Sequence, residues 1–171
     1  MQERIRLPPR SGGARRFANG LTIRTSNKLL IEDTGGDCWK GAVAMARFFE
    51  EEAHHVIQGQ RILELASGTG ILGLQLGVMG AKQVLMTDKA SMQQLLEGNI
   101  AENQSLLNAT CTVVRAASLD WLEATADPDV LAAAPFDTIV MSDVIYEEEL
   151  IMPLVRTLRR LCHLNLQVHC D

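Results

Sequence analysis

Arg61-Ile-Leu-Glu-Leu-Ala66, running straight into Ser67-Gly-Thr-Gly70, decides the fold. An apolar run of this length is too short for a free-standing helix and suits a buried strand. The glycines that follow, Gly68-x-Gly70-x-x-Gly73, let the backbone turn tightly and open a helix expected over residues 69–79 and closed by Gly80. The alternation then repeats. Gln83-Val-Leu-Met-Thr87, Cys111-Thr-Val-Val114 and Phe136-Asp-Thr-Ile-Val-Met141 read as strands, and Leu164-Asn-Leu-Gln-Val168 reads as the start of a fifth. Ser91 is the expected cap of a helix carrying Leu95, Leu96 and Ile100. A last helix over residues 147–161 begins on Glu147–Glu149 and ends on Arg156, Arg159 and Arg160, the order that the helix dipole favours. Strands alternating with helices at this spacing imply βαβ units, hence an α/β, doubly wound, mostly parallel sheet.

Upstream of that stretch, Ala42, Val43, Ala46, Phe49 and Ala53 recur at helical spacing, with Asp37 as the expected N-cap. Leu21-Thr-Ile-Arg-Thr25 and Leu29-Leu-Ile31 suggest a hairpin turning at Ser26-Asn27. Residues 1–17 hold Arg4, Arg6, Arg10, Arg15 and Arg16 against Glu3 alone, with Pro8, Pro9, Gly12 and Gly13 breaking any helix. They are expected to form a flexible basic arm ahead of one domain over 18–171. The 171 residues, 47% of them hydrophobic and 22% charged, are enough for that domain to bury a core. A net charge of -5 speaks against a nucleic-acid partner. No run approaches the roughly 18 apolar residues of a membrane span, so no membrane role is expected. Cys38, Cys111, Cys162 and Cys170 form no CxxC pair, so reduced thiols in a cytoplasmic protein, with the nucleus also open, are the expectation.

In open α/β sheets ligands sit outside the carboxyl ends of the strands. The Gly-rich turn lies there, and Asp88 ends the next strand twenty positions after Gly68, where a carboxylate accepts hydrogen bonds from both hydroxyls of a ribose. That spacing serves dinucleotides and S-adenosyl-L-methionine alike. Three features favour the methyl donor. Glu64, inside the strand, suits a cationic ligand better than a pyrophosphate; Ser67 and Thr69 offer hydrogen bonds to an amino-acid moiety; and Asp143-Val-Ile-Tyr146 sets a polar and aromatic cluster at another strand end.

Ile62-Leu-Glu-Leu-Ala-Ser-Gly-Thr-Gly70, Thr87-Asp88, Leu96-x-x-Asn99-x-x-x-Asn103, Leu119-Asp-Trp121 and Ser142–Tyr146 occur in an order that resembles the seven-β-strand protein-lysine methyltransferases of the methyltransferase-like 21 group, over about residues 20 to 160. Gly35-Gly-Asp-Cys-Trp39 resembles that group's Trp-containing entry to its first helix. The resemblance implies a Rossmann-like methyltransferase fold, S-adenosyl-L-methionine as cofactor, and a protein substrate bearing a target lysine, an ATPase or chaperone-type protein among the candidates. It further implies that Glu64, Ala66, Ser67, Gly68 and Gly70 hold the methionine part, Asp88 the ribose, and Asp120 and Trp121 the adenine. Trp39 would close the pocket, and Ser142, Asp143 and Tyr146 would border the methyl group and the lysine, the last two nearest the chemistry. Ala66 stands where the family has glycine. The family pattern continues past Asp171 through a fifth strand and a final hairpin, so the sequence reads as a domain missing its C-terminal strands, and a catalytically weak binding member is the alternative to an active enzyme. An NAD-dependent oxidoreductase and a small-molecule methyltransferase are the other readings.

The remaining candidates carry less. His54-His55 point apart on a helix, and Cys162-His163 with His169-Cys170 match no common zinc spacing, so no metal is expected. Asn99 and Asn103 share a helical face, for which helix-terminal hydrogen bonding is the simple reading.

Overall fold

The computed structural model describes residues 13–32, 34–123 and 128–167. The chain opens with β1 (Ala14–Arg16) and β2 (Thr22–Arg24), an antiparallel ribbon, then α1 (Asn27–Glu32), α2 (Lys40–Glu51) and α3 (His54–Ile57). The alternating part follows: β3 (Arg61–Leu65), α4 (Ile71–Val78), β4 (Gln83–Asp88), α5 (Gln93–Glu102), α6 (Gln104–Ala109), β5 (Val113–Ser118), α7 (Pro128–Ala133), β6 (Thr138–Met141) and α8 (Glu148–Gln167).

The main sheet has four strands in the order β5-β4-β3-β6, every neighbouring pair parallel. Because side chains alternate across a strand, each strand feeds two cores. Ile62, Val84, Met86 and Val140 face a core shared with α2, α4 and α5, while Leu63, Leu65, Leu85 and Ala117 face one closed by Val130, Leu154 and Leu161 of α7 and α8. The sheet is therefore wound on both faces, the Rossmann-like arrangement that the alternation predicts. Strand order runs outward from β3 through β4 to β5 and then jumps to the other side of β3. The switch point thus lies between β3 and β6, where open α/β sheets hold their ligands.

Several local expectations change. The hairpin at Ser26-Asn27 does not form. The Ser26 hydroxyl accepts a hydrogen bond from Leu29 N–H at 3.3 Å, capping α1, and β2 pairs backward with β1, inside the stretch expected to be an irregular arm. Residues 1–12, with the arginines at 4, 6 and 10, lie outside the described residues. Asp37 does not cap α2. Its carboxylate accepts from Cys38 N–H at 2.8 Å and pairs with Arg15 at 2.5 Å. Ser91 falls within a short 3-10 turn (Ala90–Met92), with no side-chain cap on α5. The third strand starts at Val113 rather than Cys111, because Cys111 turns the chain at φ 57° and the Thr112 hydroxyl is held by the Ala81 carbonyl at 2.7 Å. The expected fifth strand is also overturned: residues 164–167 continue α8, since an amphipathic helix already in register propagates more easily than a strand nucleates. Val168, His169 and Cys170 lie outside the described residues.

Candidate functional site

The β3 register pairs Leu65 with both Thr87 and Met141, so the strand ends of β3, β4 and β6 are level and their loops open side by side. A cavity of about 330 Å³ sits over this edge, in the range of roughly 300–1,000 Å³ typical of ligand sites. Its wall takes Ala66 and Gly68 from the loop after β3, Asp88 and Lys89 from the end of β4, Ser142, Asp143 and Tyr146 from the loop after β6, and Gly35 and Trp39 from the segment before α2. A second cavity of about 170 Å³ shares Ala66, Asp88, Lys89 and Tyr146 with it and is closed by Leu119, Asp120 and Trp121 after β5. The two adjoin across Asp88.

Asp88 is fixed at that junction by its neighbours' amides. One carboxylate oxygen accepts from Gly68 N–H at 2.7 Å and the other from Lys89 N–H at 2.8 Å. The first bond crosses from the end of β4 to the Gly-rich loop, locking the loop's height above the sheet. Ala66 adopts φ 52°, the left-handed region that favours glycine, which explains physically why a glycine would be at home there. Gly70 turns the chain at φ 77°; a Cβ on it would also lie 2.9 Å from Met86 Sδ.

Three expected site residues lie beneath the loop rather than along either wall. Strand alternation puts Glu64 on the α4 side, 2% exposed, where its carboxylate accepts from Gly73 N–H at 3.1 Å. Burial pushes this carboxyl up to about 8, against the pull of its Ser67 and Gly73 hydrogen bonds and with a smaller push from the Asp88 charge. Ser67 is buried, its N–H donating to Thr87 O at 2.9 Å and its own carbonyl taking Gly70 N–H at 2.7 Å.

Asp143 occupies φ 53°, and one carboxylate oxygen accepts from Gly41 N–H at 2.9 Å. It caps the first turn of α2 from 102 residues away, the role expected of Asp37. A side chain at Gly41 would run into that carboxylate. Trp39 is half-exposed, its indole N–H donating to Thr34 O at 2.9 Å, so the ring stands at the cavity mouth with its polar edge satisfied. Tyr146, 48% exposed, stands between the two cavities. Trp121 is partly buried against the α7–α8 core, and Asp120 turns back to accept from Leu122 N–H at 2.9 Å.

The fold thus gathers Trp39, Ala66, Gly68, Asp88, Asp120, Trp121, Ser142, Asp143 and Tyr146 at one edge, with Glu64, Ser67 and Gly70 as its floor. Sequence reasoning missed Gly35, Gly41 and Lys89. The first was quoted only as the start of the Trp-containing segment, the second gave no signal without its partner across the chain, and the third simply follows Asp88.

Sequence comparison adds the family. The profile described as lysine methyltransferase matches residues 18–170. The Danio rerio protein N-lysine methyltransferase METTL21A is 30% identical over 123 residues, which cover 72% of this chain and 53% of the relative. The Homo sapiens protein-lysine N-methyltransferase EEF2KMT is 34% identical over 150 residues, covering 82% and 44%. The Mus musculus methyltransferase-like protein 22 is 29% identical over 150 residues, covering 78% and 37%. The chain spans about half the length, or less, of these curated relatives. Among solved structures, a protein of Thermoplasma acidophilum overlaps 67% of this chain and 54% of its own at a TM-score of 0.44 and 17% identity.

Proposed function

This chain belongs to the lysine methyltransferase family, and we propose that it binds S-adenosyl-L-methionine at the β3–β6 switch point and serves the transfer of a methyl group to a lysine side chain of a protein substrate. The single observation that carries the reading is Asp88. A carboxylate held by Gly68 and Lys89 N–H groups at the junction of two adjoining cavities is what a ribose between an adenine and an amino-acid tail requires. Gly68 leaves the loop backbone bare along that wall.

When bound, S-adenosyl-L-methionine supplies an already activated methyl group. Asp88 would accept hydrogen bonds from the ribose hydroxyls. Asp120 and Trp121 would take the adenine in the smaller cavity, and Ala66 and Gly68 the tail in the larger. Glu64, Ser67 and Gly70 would support that loop from below. On the acceptor side, Trp39 and Tyr146 would face cationic groups with their rings and exclude water. Burial of a lysine amine there lowers its pKa and favours the neutral nucleophile. Ser142 would line the approach, and Asp143, anchored on Gly41 N–H, would orient the amine.

A protein acceptor is favoured by the relatives' names and by the chain's net charge of -5, which does not suit a nucleic acid. Among the described residues no helix is long and apolar enough to cross a membrane. An ATPase or chaperone-type protein is the proposed acceptor class, on motif resemblance alone. A reducing setting, cytoplasmic or nuclear, fits the free thiols of Cys38, Cys111 and Cys162.

The test is transfer of label from S-adenosyl-L-methionine to proteins of a cell extract, with Asp88→Ala as control. Asp88→Ala should weaken S-adenosylhomocysteine binding about 10–100-fold, since a hydrogen bond to a charged group contributes about 1.5–3 kcal/mol. Label on protein with the parent chain and none with the variant is expected. Cofactor binding without any transfer would instead favour a binding-only member, and no binding by a folded parent chain would overturn the cofactor site.

A further inference from the structure

Asn99 lies on α5, outside both cavities, yet it is completely buried and touches the Gly-rich loop directly. Its amide nitrogen donates to Thr69 O at 2.8 Å and to Arg24 O at 3.1 Å, while its amide oxygen accepts from Arg24 N–H at 2.8 Å. Both amide hydrogens and the oxygen are therefore used. The reversed amide would set a donor against Arg24 N–H and an oxygen against two carbonyls, so the network permits one orientation only. Asn103, one turn on, repeats the grip: its oxygen accepts from Thr22 N–H at 2.8 Å and its nitrogen donates to Thr22 O at 2.8 Å. Two side chains of a helix thus stand in for a neighbouring strand and fasten β2 by its backbone.

The asymmetry between the two is informative. Asn103 sends its second donor to Asn99 O at 2.7 Å, inside the helix, whereas Asn99 sends its second to Thr69, between Gly68 and Gly70. The Thr69 hydroxyl is held separately, with Cys38 Sγ at 3.6 Å. On the far side of the same ribbon Arg15 pairs with Asp37, next to the segment that supplies Gly35 and Trp39 to the cavity wall. The β1–β2 ribbon is consequently tied to two walls of the cavity, once through Asn99 and once through Arg15.

We propose that Asn99 is a positioning residue for the cofactor loop, setting the loop through the Thr69 carbonyl; this rests on the cofactor reading above. A residue that only stabilised the fold would act on affinity no differently from Asn103.

The experiment compares Asn99→Asp and Asn103→Asp in the full chain. Each keeps the acceptor toward β2 and exchanges an amide that donates twice for a buried carboxyl that donates at most once, but only Asn99→Asp loosens Thr69. Urea unfolding measures stability and calorimetric titration measures the Kd of S-adenosylhomocysteine. Both variants are expected to lose stability to a similar degree, with Kd raised about tenfold or more in Asn99→Asp, equivalent to about 1.4 kcal/mol, and within about twofold of the parent in Asn103→Asp. An unchanged Kd in Asn99→Asp, or an equal rise in both, overturns the proposal while parent binding stands. If the parent itself does not bind, the cofactor reading falls and this inference with it. Should Asn99→Asp not fold, Asn99→Ser, which keeps one short donor, is held to the same thresholds.

Discussion

At the scale of single residues, Glu64 is the most instructive. An acid within a strand before a Gly-rich turn reads as a ligand for a cation, but strand alternation turns it under α4, against Gly73 N–H. Its carboxyl keeps its proton to about pH 8 in the folded chain, against an ordinary value of 4.5. Between those two values the unfolded chain releases a proton that the folded chain retains. The stabilising contribution is thus complete below about pH 4.5, falls as pH rises, and is gone above about pH 8, at about 1.4 kcal/mol per pH unit. Glu64→Gln abolishes this dependence. Urea unfolding at pH 5, 6, 7 and 8 should find the variant gaining on the parent at each step, because every other titrating group cancels in the difference. Parallel pH profiles would show that Glu64 ionises normally.

At the scale of elements, α4 is pressed against the sheet more closely than any side chain would permit at Gly73. A Cβ there would lie 2.5 Å from Glu64 Oε2 and 2.6 Å from Met86 Cγ. Helix propensity alone would make Gly73→Ala stabilising by about 0.8–1 kcal/mol, but overpacking a tight core costs about 1–3 kcal/mol, and the contacts here are against the buried floor of the site. Net destabilisation of up to about 2 kcal/mol is expected by chemical denaturation. Gly98→Ala on α5 is the matched control. Nothing lies within 4 Å of its added Cβ, so propensity acts unopposed and the chain should gain up to about 1 kcal/mol. If both substitutions shift stability in the same direction, the close packing of α4 is not what requires glycine. The same reasoning locates what the periodicity could not reveal. The start of α2 is capped by Asp143 from across the molecule, so a cap sought in the adjacent sequence fell on Asp37 instead.

At the scale of the whole molecule, the switch point unites segments from the entire chain: Gly35 and Trp39, the β3 and β4 ends, Trp121 and Tyr146. A ligand bridging so many elements must raise global stability. S-adenosylhomocysteine at about a hundred times its Kd is expected to contribute about 2.7 kcal/mol, a rise of roughly 5–10 °C in Tm for a domain of this size. A thermal titration checks it. A comparable rise with NAD and none with S-adenosylhomocysteine would point to hydride chemistry instead. The alternation of strands and helices, the Gly-rich turn and the Asp88 spacing were legible from residues 61–88 alone, because short-range periodicity and turn chemistry are local properties of a chain. Tertiary structure alone decided which way Glu64 faces, that β2 pairs backward with β1, that Asn99 reaches Thr69, and that Asp143 caps α2. Each of these joins groups that no local pattern relates, and each exists because a buried polar group must find its partner wherever the fold brings one within reach.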